Sequence, residues 1–367
     1  MENKRIVIAG GTGFIGQAMA RYFGKNNHVV ILTRKSVNGH NNRFGQGLLK
    51  APDGYNITYW RWDGKHVEKH WLDDVDGADI VINLAGRSVN CRYNERNRKE
   101  VLDSRIDATQ AIGQAIRHSR KAPTLWINAA SATIYRHAMD KPQEEEHGEI
   151  SDLKKDNMPW SLLDRLRYGY TKAWAGYRYG KGSKQYKLLD KDFSVEICRS
   201  WEQAFMDEHT PATRKVALRA AITLGAGGVM VPYFNLLKAG LGGYQGNGRQ
   251  MYSWIHEEDL CRIVEWCAEH PEASGMYNCA APNPVTNSAF MCTLRKATGH
   301  RFGLPAFSWM LELGAALIGT ETELILKSRW VLPGRLLKAG FRFKYTHAEQ
   351  AIRDIVTRTP RSRYHLF

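Results

Sequence analysis

The chain has 367 residues, 43% of them hydrophobic, enough for one large or two modest domains with a full core. No apolar run is long enough to span a bilayer, and the opening MENKRIVIAGG passes from charge straight into a short apolar stretch, so neither a membrane span nor a signal peptide is expected and the chain reads as cytoplasmic. The net charge of +15 and pI of about 9.5 suit an anionic partner, while six cysteines without a Cys-x-x-Cys pair argue for reduced thiols and no structural metal.

In chain order, short β-rich runs alternate with helical patterns. RIVIA (5–9) reads as a strand, Phe14 to Phe23 as a helix, then HVVILT (28–33), NITYW (56–60) and DIVIN (79–83) as strands. A helix over roughly Asn97 to His118 follows, then the strand TLWINA (124–129), a helix over Phe193 to Met206 and the strand KVALRAAI (215–222). Unalternating apolar strands separated by helices predict a parallel sheet covered on both faces, an α/β, Rossmann-like doubly wound fold over residues 1–225. After 225 the sequence turns loop-rich, with LGAGGVM and GLGGYQGNGRQ, and helical patterns follow at 257–268, 287–298, 305–318 and 347–356. Residues 226–304 are expected to form a smaller substrate-binding part that returns to the sheet, and 305–367 a C-terminal helical addition. The stretch 149–191 lacks a clean period and reads as an insertion; residues 151–191 carry ten Lys or Arg against four Asp.

IAGGTGFIG sets Gly10, Gly13 and Gly16 between the first strand and the first helix. The first glycine permits a tight turn, the second lets the backbone approach a pyrophosphate, and the third lets the helix pack on the sheet. Helix-end amides then face the phosphates. At the end of the second strand an acid would hold an adenine ribose 2′-hydroxyl, but the chain has Thr33, Arg34 and Lys35 there. A guanidinium fork and an ammonium suit a 2′-phosphate, so the expected cofactor is NADP(H). The plainer alternative is a solvated basic turn.

GGTGFIG, DIVINLAG and INAASATIY resemble the extended short-chain dehydrogenase/reductases. NLAGRSVNCRYNERNRKEVLDSRIDAT, EICRSWEQA, GRQMYSWIHEEDL, APNPVTN and RWVLPGRLLKAGF narrow the resemblance to an atypical branch, the epimerase-family or nucleoside-diphosphate-sugar-epimerase-like proteins, which end in a small extra domain. The resemblance covers nearly the whole chain except 149–191. It implies a phosphate loop of Gly10, Thr12, Gly13, Phe14, Ile15 and Gly16, with Asp63 meeting the adenine and Asn83, Leu84, Ala85 and Gly86 lying beside the ribose and nicotinamide. It also puts Ser131, in SATIY, at the place of the catalytic serine or threonine, and Arg249 where relatives often meet a substrate phosphate. Ser131 reads equally well as a serine closing a strand end, and Arg249 as a surface arginine.

YGYTKAW (168–174) holds Tyr168 and Lys172 at Tyr-x-x-x-Lys spacing, one helical turn apart, where an ammonium lowers a phenol's pKa for alcohol chemistry. Lys172, however, lies too far before Lys215 for one helix and a turn. Phe193, Ile197, Trp201, Ala204 and Phe205 form a better-placed helical stripe, and Glu202 matches a glutamate that follows the family lysine by four. That register puts Cys198 at the lysine place and Ser194 at the tyrosine place, with Cys198 expected to be a packed thiol. YGYTKAW then reads as a chance match in a Tyr- and Lys-rich insertion, with a relocated pair on a lid as the alternative.

These readings predict an NADP(H)-binding oxidoreductase or epimerase-like enzyme whose substrate is a small molecule, anionic and either phosphorylated or nucleotide-linked. Ser131 would orient the reacting oxygen; Tyr135, His256 or a residue of the insertion would move the proton. The alternatives are an NADP(H)-binding sensor without turnover, in keeping with the missing Tyr–Lys pair, and a nucleic-acid binder using the basic insertion, for which a solvated charged face is the commoner outcome. No membrane partner is expected, and homo-oligomerisation is left open.

Overall fold

In the computed structural model, residues 1–35, 53–157, 162–183, 189–307, 310–311 and 326–365 are described. The chain runs β1 (Arg5–Ala9), α1 (Phe14–Phe23), β2 (His28–Thr33), β3 (Ile57–Arg61), α2 (Lys69–Val75), β4 (Ile80–Asn83), α3 (Glu95–His118) and β5 (Leu125–Ser131). It continues through α4 (Leu162–Tyr179), α5 (Phe193–Asp207), β6 (Arg214–Ala220), β7 (Ile222–Leu224), α6 (Met230–Lys238), β8 (Met251–Tyr252) and β9 (Trp254–His256). The last elements are α7 (Glu257–Glu269), β10 (Gly275–Cys279), β11 (Val285–Thr286), α8 (Asn287–Thr298), α9 (Gly334–Lys338) and α10 (Ala348–Thr357).

Seven strands form one sheet in the order β3-β2-β1-β4-β5-β6-β10, every pair parallel. Successive residues of a strand face opposite sides, so apolar runs feed two cores. Ile6, Ile8, Val29, Ile31, Ile80, Ile82, Ile127 and Leu218 pack towards α1 and α7. Val7, Val30, Leu32, Val81, Trp126 and Ala217 pack on the other side towards α3 and Phe205 of α5. The strand order reverses between β1 and β4, which opens a crevice beyond their carboxyl ends, where α/β sheets of this kind bind ligands.

Among the described residues beyond 221, β10 returns to the sheet, and Leu224, Met230, Phe234, Trp254, Phe290, Ile352 and Ile355 build a further core. The segment 327–332 then threads back towards the end of β5. Ser253 N donates to Arg329 O at 3.0 Å, Arg329 N to Met251 O at 2.9 Å, and Gln143 N to Trp330 O at 2.7 Å.

Two expectations change. The strand expected over 215–222 ends at Ala220, and Ile222–Leu224 leaves the main sheet to pair with β9. Residues 162–179, within the stretch read as an insertion without a clean period, form a helix whose Leu166, Tyr170, Trp174 and Tyr177 are exposed. Most of the helix expected over 305–318 lies outside the described residues; at its start, Ala306 bridges Gln245. Among the described residues no helix is long and apolar enough to cross a membrane, and no group of His, Cys, Asp and Glu is arranged to hold a metal.

Candidate active site

The glycine loop joins β1 to α1 at the crevice. Gly10 has φ +78°, and a Cβ there would also meet the Ala85 backbone at 3.0 Å. Gly16 has no room: a Cβ would lie 2.5 Å from Gly11 Cα and 2.7 Å from Gly10 O. Gly13 differs, because its Cβ would meet only Gly10 O, at 3.4 Å, which is ordinary contact. The fold therefore explains Gly10 and Gly16, and it leaves Gly13 to be explained by something that approaches from the crevice. Gly13 is also the N-cap of α1 and has no capping side chain, so the first amides of the helix point to solvent or ligand. The Phe14 ring lies against Gly227 and Gly228 and ties this loop to the entry of α6. Ile15 packs on the core below.

Thr12 Oγ1 and Thr33 Oγ1 are 3.0 Å apart, which fixes the glycine loop to the end of β2. Thr33 Oγ1 also accepts from Lys35 N at 3.2 Å, shaping the turn that exposes Arg34 and Lys35. Arg34 borders a cleft of about 530 Å³ with Arg61, Trp62, Asp63, Glu68 and His70. Asp63 is folded into its own turn, accepting from Lys65 N at 2.8 Å and His66 N at 2.9 Å and pairing with the His66 ring. Burial would raise its pKa, but these His66 and Lys65 bonds outweigh it and hold the carboxyl at about 2. The charged group beside Arg34 is thus a fixed carboxylate that orders the cleft wall, while two guanidinium groups border the opening.

After β4 the chain turns through Leu84, Ala85 and Gly86. Asn83 shapes this turn: its Oδ1 accepts from Ala85 N at 3.0 Å while its Nδ2 donates to Asn128 Oδ1 at 2.8 Å and Thr109 Oγ1 at 3.2 Å. Behind Gly86 lies Arg105 of α3, so close that a Cβ on Gly86 would meet its guanidinium carbon at 3.2 Å. Arg105 is buried, stacks 5.0 Å from the Trp201 ring and donates Nη1 to Val101 O and Arg87 O at 2.8 and 2.9 Å. Its Nε finds no hydrogen-bond partner among the described residues, and burial lowers its pKa.

α5 begins at Asp192, whose buried carboxylate caps Ser194 N at 2.9 Å and Val195 N at 3.3 Å. Ser194, expected at the tyrosine place, is buried with no partner for its hydroxyl among the described residues. Cys198, expected at the lysine place, packs with Ala132, Ile134 and Tyr135. Burial, then the Glu202 carboxylate, pushes its thiol up to about 12 against the opposing charges of Lys327 and Arg105. Such a thiol does not ionise near neutral pH. The cations come from elsewhere. Lys327, from the C-terminal segment, is fully buried, donating to Thr133 O at 3.1 Å and to Asp192 Oδ2 at 3.3 Å. Ser131 closes β5 and accepts from Thr133 N at 3.2 Å, so the Lys327 contact lies one turn from it. His137 follows on the same turn; its Nδ1 accepts from Ser328 N at 3.0 Å. Burial, Lys327, Arg136 and Arg329 lower its pKa to about 4, so it is neutral at physiological pH.

Tyr135 does not present its phenol to the crevice. It is buried, donates to Asn278 Oδ1 at 2.9 Å and accepts from Arg219 at 2.8 Å, and Arg219 forks onto Glu202 with two 2.8 Å bonds. Burial raises its pKa. The SATIY spacing places Tyr135 near Ser131 along the chain, but the short helical turn Ala132–Ile134 carries the ring back under the sheet. His256 is likewise structural: it caps α7 through Glu258 N at 3.1 Å and meets Asp354 at 3.1 Å. In YGYTKAW, Lys172 bonds to both oxygens of Asp190 at 2.6 and 2.8 Å, and Tyr168 meets the same carboxylate. Burial and Asp190 raise the phenol's pKa, the reverse of what a catalytic ammonium neighbour would do. Arg249 is exposed on the 240–250 loop. Lys327, Asp192 and Arg105 were not visible as site residues in the sequence. Arg105 sits in a charged helix pattern that reads as a solvated face, and no local spacing links Lys327 to Asp192.

Comparison with known proteins agrees with this architecture. Residues 6–175 match the NAD dependent epimerase/dehydratase family, and residues 306–355 match a domain of unknown function, DUF1731. An epimerase family protein of Staphylococcus saprophyticus is 29% identical over 356 residues, 96% of this chain and 99% of the relative. The epimerase family protein YfhF of Bacillus subtilis is 26% identical over 354 residues, 96% of this chain and 97% of the relative. Among solved structures, the human epimerase family protein SDR39U1 (isoform 2) with NADPH superposes with a TM-score of 0.71 at 24% identity, covering 96% of this chain and 99% of that one. UDP-N-acetylglucosamine 4-epimerase of Methanobrevibacter ruminantium, in complex with UDP-N-acetylmuramic acid, superposes with a TM-score of 0.62 at 18% identity, covering 97% and 98%. With its glycine loop at the sheet's switch point and its seven-stranded parallel sheet, the chain carries an NAD-dependent epimerase/dehydratase domain over residues 6–175, followed by a DUF1731 domain over residues 306–355.

Proposed function

We propose that the protein binds NADP(H) and is an oxidoreductase or epimerase-like enzyme acting on a small anionic molecule, phosphorylated or nucleotide-linked. The observation that carries the cofactor choice is the end of β2, where Thr33, Arg34 and Lys35 stand in place of an acid and Arg34 borders, with Arg61, a cleft whose wall also holds Asp63 and Glu68. Two further features fit the group: Gly13, which the fold leaves open, and the buried Arg105 Nε behind the Leu84–Gly86 turn. A bound nicotinamide dinucleotide supplies the hydride donor or acceptor. In this reading the α1 amides hold the pyrophosphate, Arg34, Lys35 and Arg61 hold the 2′-phosphate, and Arg105 supports the turn beside the nicotinamide ribose. Ser131 keeps its proton and one lone pair after capping Thr133 N, and it orients the reacting oxygen. Lys327 steadies the Ser131–Thr133 turn and the start of α5 together. Arg249, exposed on the 240–250 loop, is available to a substrate phosphate.

A second reading, cofactor binding without turnover, is supported by the burial of Cys198 and Ser194, the residues that the family resemblance would put at the places of the lysine and tyrosine; the thiol does not ionise near neutral pH. The two readings separate when NADPH fluorescence is followed with a panel of nucleotide-linked and phosphorylated carbonyl compounds. Substrate-dependent oxidation that Ser131→Ala abolishes, with NADPH affinity unchanged, supports the enzyme. Tight NADPH binding with no consumption across the panel favours the sensor.

A further inference from the structure

α4 is amphipathic in the reverse of the usual sense. Its charged pair points inward: Lys172 and Tyr168 both meet Asp190, and Ala175 on the same side is buried. At roughly 100° per residue, Leu166, Tyr170, Trp174 and Tyr177 fall within about 80° of arc on the other side. They are 63%, 75%, 48% and 92% exposed. Single exposed apolar residues are ordinary, but four along one face of an 18-residue helix form a continuous uncovered stripe. Exposed Arg178 lies about 40° beyond Trp174 at one edge of that stripe, and exposed Arg165 lies on the flank of the helix about 100° from Leu166. The Arg178 guanidinium lies 5.8 Å from the Trp174 ring and 6.0 Å from the Tyr179 ring, so its stem runs along the aromatic surface.

The charge of the insertion selects the occupant. Residues 151–191 carry ten Lys or Arg against four Asp. Two of those acids are already matched, Asp152 by Lys191 and Asp190 by Lys172. A second copy of the chain would bring two such basic faces together, which like-charge repulsion opposes. Single-stranded nucleic acid is bound in grooves that track the backbone, whereas this stripe lies on the convex outer side of a helix. Tyr and Trp rings at headgroup depth, an aliphatic anchor and snorkelling Arg side chains together match an anionic bilayer surface. We propose that α4 docks this protein peripherally on an anionic lipid surface, with Leu166, Tyr170, Trp174 and Tyr177 in the interface and Arg165 and Arg178 on the headgroups. The inference is independent of the proposed chemistry.

Flotation of the full chain with phosphatidylglycerol-containing vesicles, against phosphatidylcholine alone, tests it. Binding should favour the anionic vesicles and weaken as salt is raised. The double variant Trp174→Glu/Tyr177→Glu, at two exposed positions, should lower vesicle binding by about tenfold or more while NADPH affinity stays unchanged. Arg165→Glu/Arg178→Glu, which leaves the aromatic stripe intact, should remove the preference for anionic lipid. Absence of binding to anionic vesicles, equal binding to both lipids, or wild-type binding by the first variant would overturn the proposal. So would binding to a single-stranded oligonucleotide, in place of vesicles, that the same variant abolishes.

Discussion

Gly13 and Gly16 are the second and third glycines of one motif, and the structure predicts opposite consequences for replacing them with alanine. At Gly16 the new Cβ would lie 2.5 Å from Gly11 Cα and 2.7 Å from Gly10 O, both backbone atoms that cannot swing aside. Overpacking of this kind costs about 1–3 kcal/mol, and contact with backbone puts it at the upper end. At Gly13 the Cβ would meet only Gly10 O at 3.4 Å, and the backbone angles of φ −74° and ψ 171° suit any residue. Alanine is a poorer N-cap than glycine, but it restricts the unfolded chain by about 0.4–1 kcal/mol, so the two effects nearly cancel. Thermal melts without cofactor should show Gly16→Ala lowered by several degrees and Gly13→Ala close to wild type. Fluorescence titration should then show NADPH affinity in Gly13→Ala reduced about tenfold or more, because the added methyl occupies the pyrophosphate's approach. Wild-type affinity in Gly13→Ala, or wild-type stability in Gly16→Ala, would refute the division of roles between the two glycines.

The buried pair of Lys327 and Asp192 gives a second test. Lys327→Met should cost about 3–5 kcal/mol in chemical denaturation, because it leaves the buried Asp192 carboxylate without its cation partner, and adding Asp192→Asn should recover at least about 1 kcal/mol of that loss. A double variant no more stable than the single one would show that the pair is not the source of the effect. His137 sets a pH dependence. Its folded pKa of about 4 lies below the ordinary 6.5, so the folded state holds the ring neutral and the unfolded chain takes up the proton first as pH falls. Its contribution is complete above pH 6.5 and lost as pH falls towards about 4, amounting to about 1–3 kcal/mol after allowing for partial exposure. Urea denaturation across this range should fall more steeply for wild type than for His137→Asn, whose Oδ1 stands at the place of Nδ1 and can still accept from Ser328 N; parallel curves would contradict the assignment.

The sheet was legible because its strands are buried on both faces and therefore read as unbroken apolar runs, as RIVIA, HVVILT and DIVIN do. The helix α5 was legible too, from its apolar stripe, and Cys198 is the packed thiol expected on it. β10 (GMYNC) carries too little apolar pattern to stand out, although it completes the sheet beside β6. α4 escaped because pattern reading assumes that an apolar stripe faces a core. The spacing that makes Tyr168 and Lys172 look catalytic is the spacing that lets both reach Asp190. Tyr135 shows the limit of motif position: adjacency to Ser131 along the chain says nothing about a ring that a single short helical turn redirects onto Arg219 and Asn278. Lys327 reaches the start of α5 across more than 100 residues of chain, a contact that no local pattern encodes.

The most direct test of the central claim is a paired titration with NADPH and NADH of wild type and Arg34→Ala. If the cleft bordered by Arg34 and Arg61 receives a 2′-phosphate, NADPH should bind wild type more tightly than NADH by about tenfold to a hundredfold, the worth of roughly 1.5–3 kcal/mol for a charge-assisted guanidinium–phosphate pair. Arg34→Ala should lose most of that preference through weaker NADPH binding, with NADH affinity unchanged and the apo melting temperature close to wild type, because Arg34 is exposed. Equal affinities for the two cofactors in wild type, or undiminished NADPH binding by Arg34→Ala, would contradict the account.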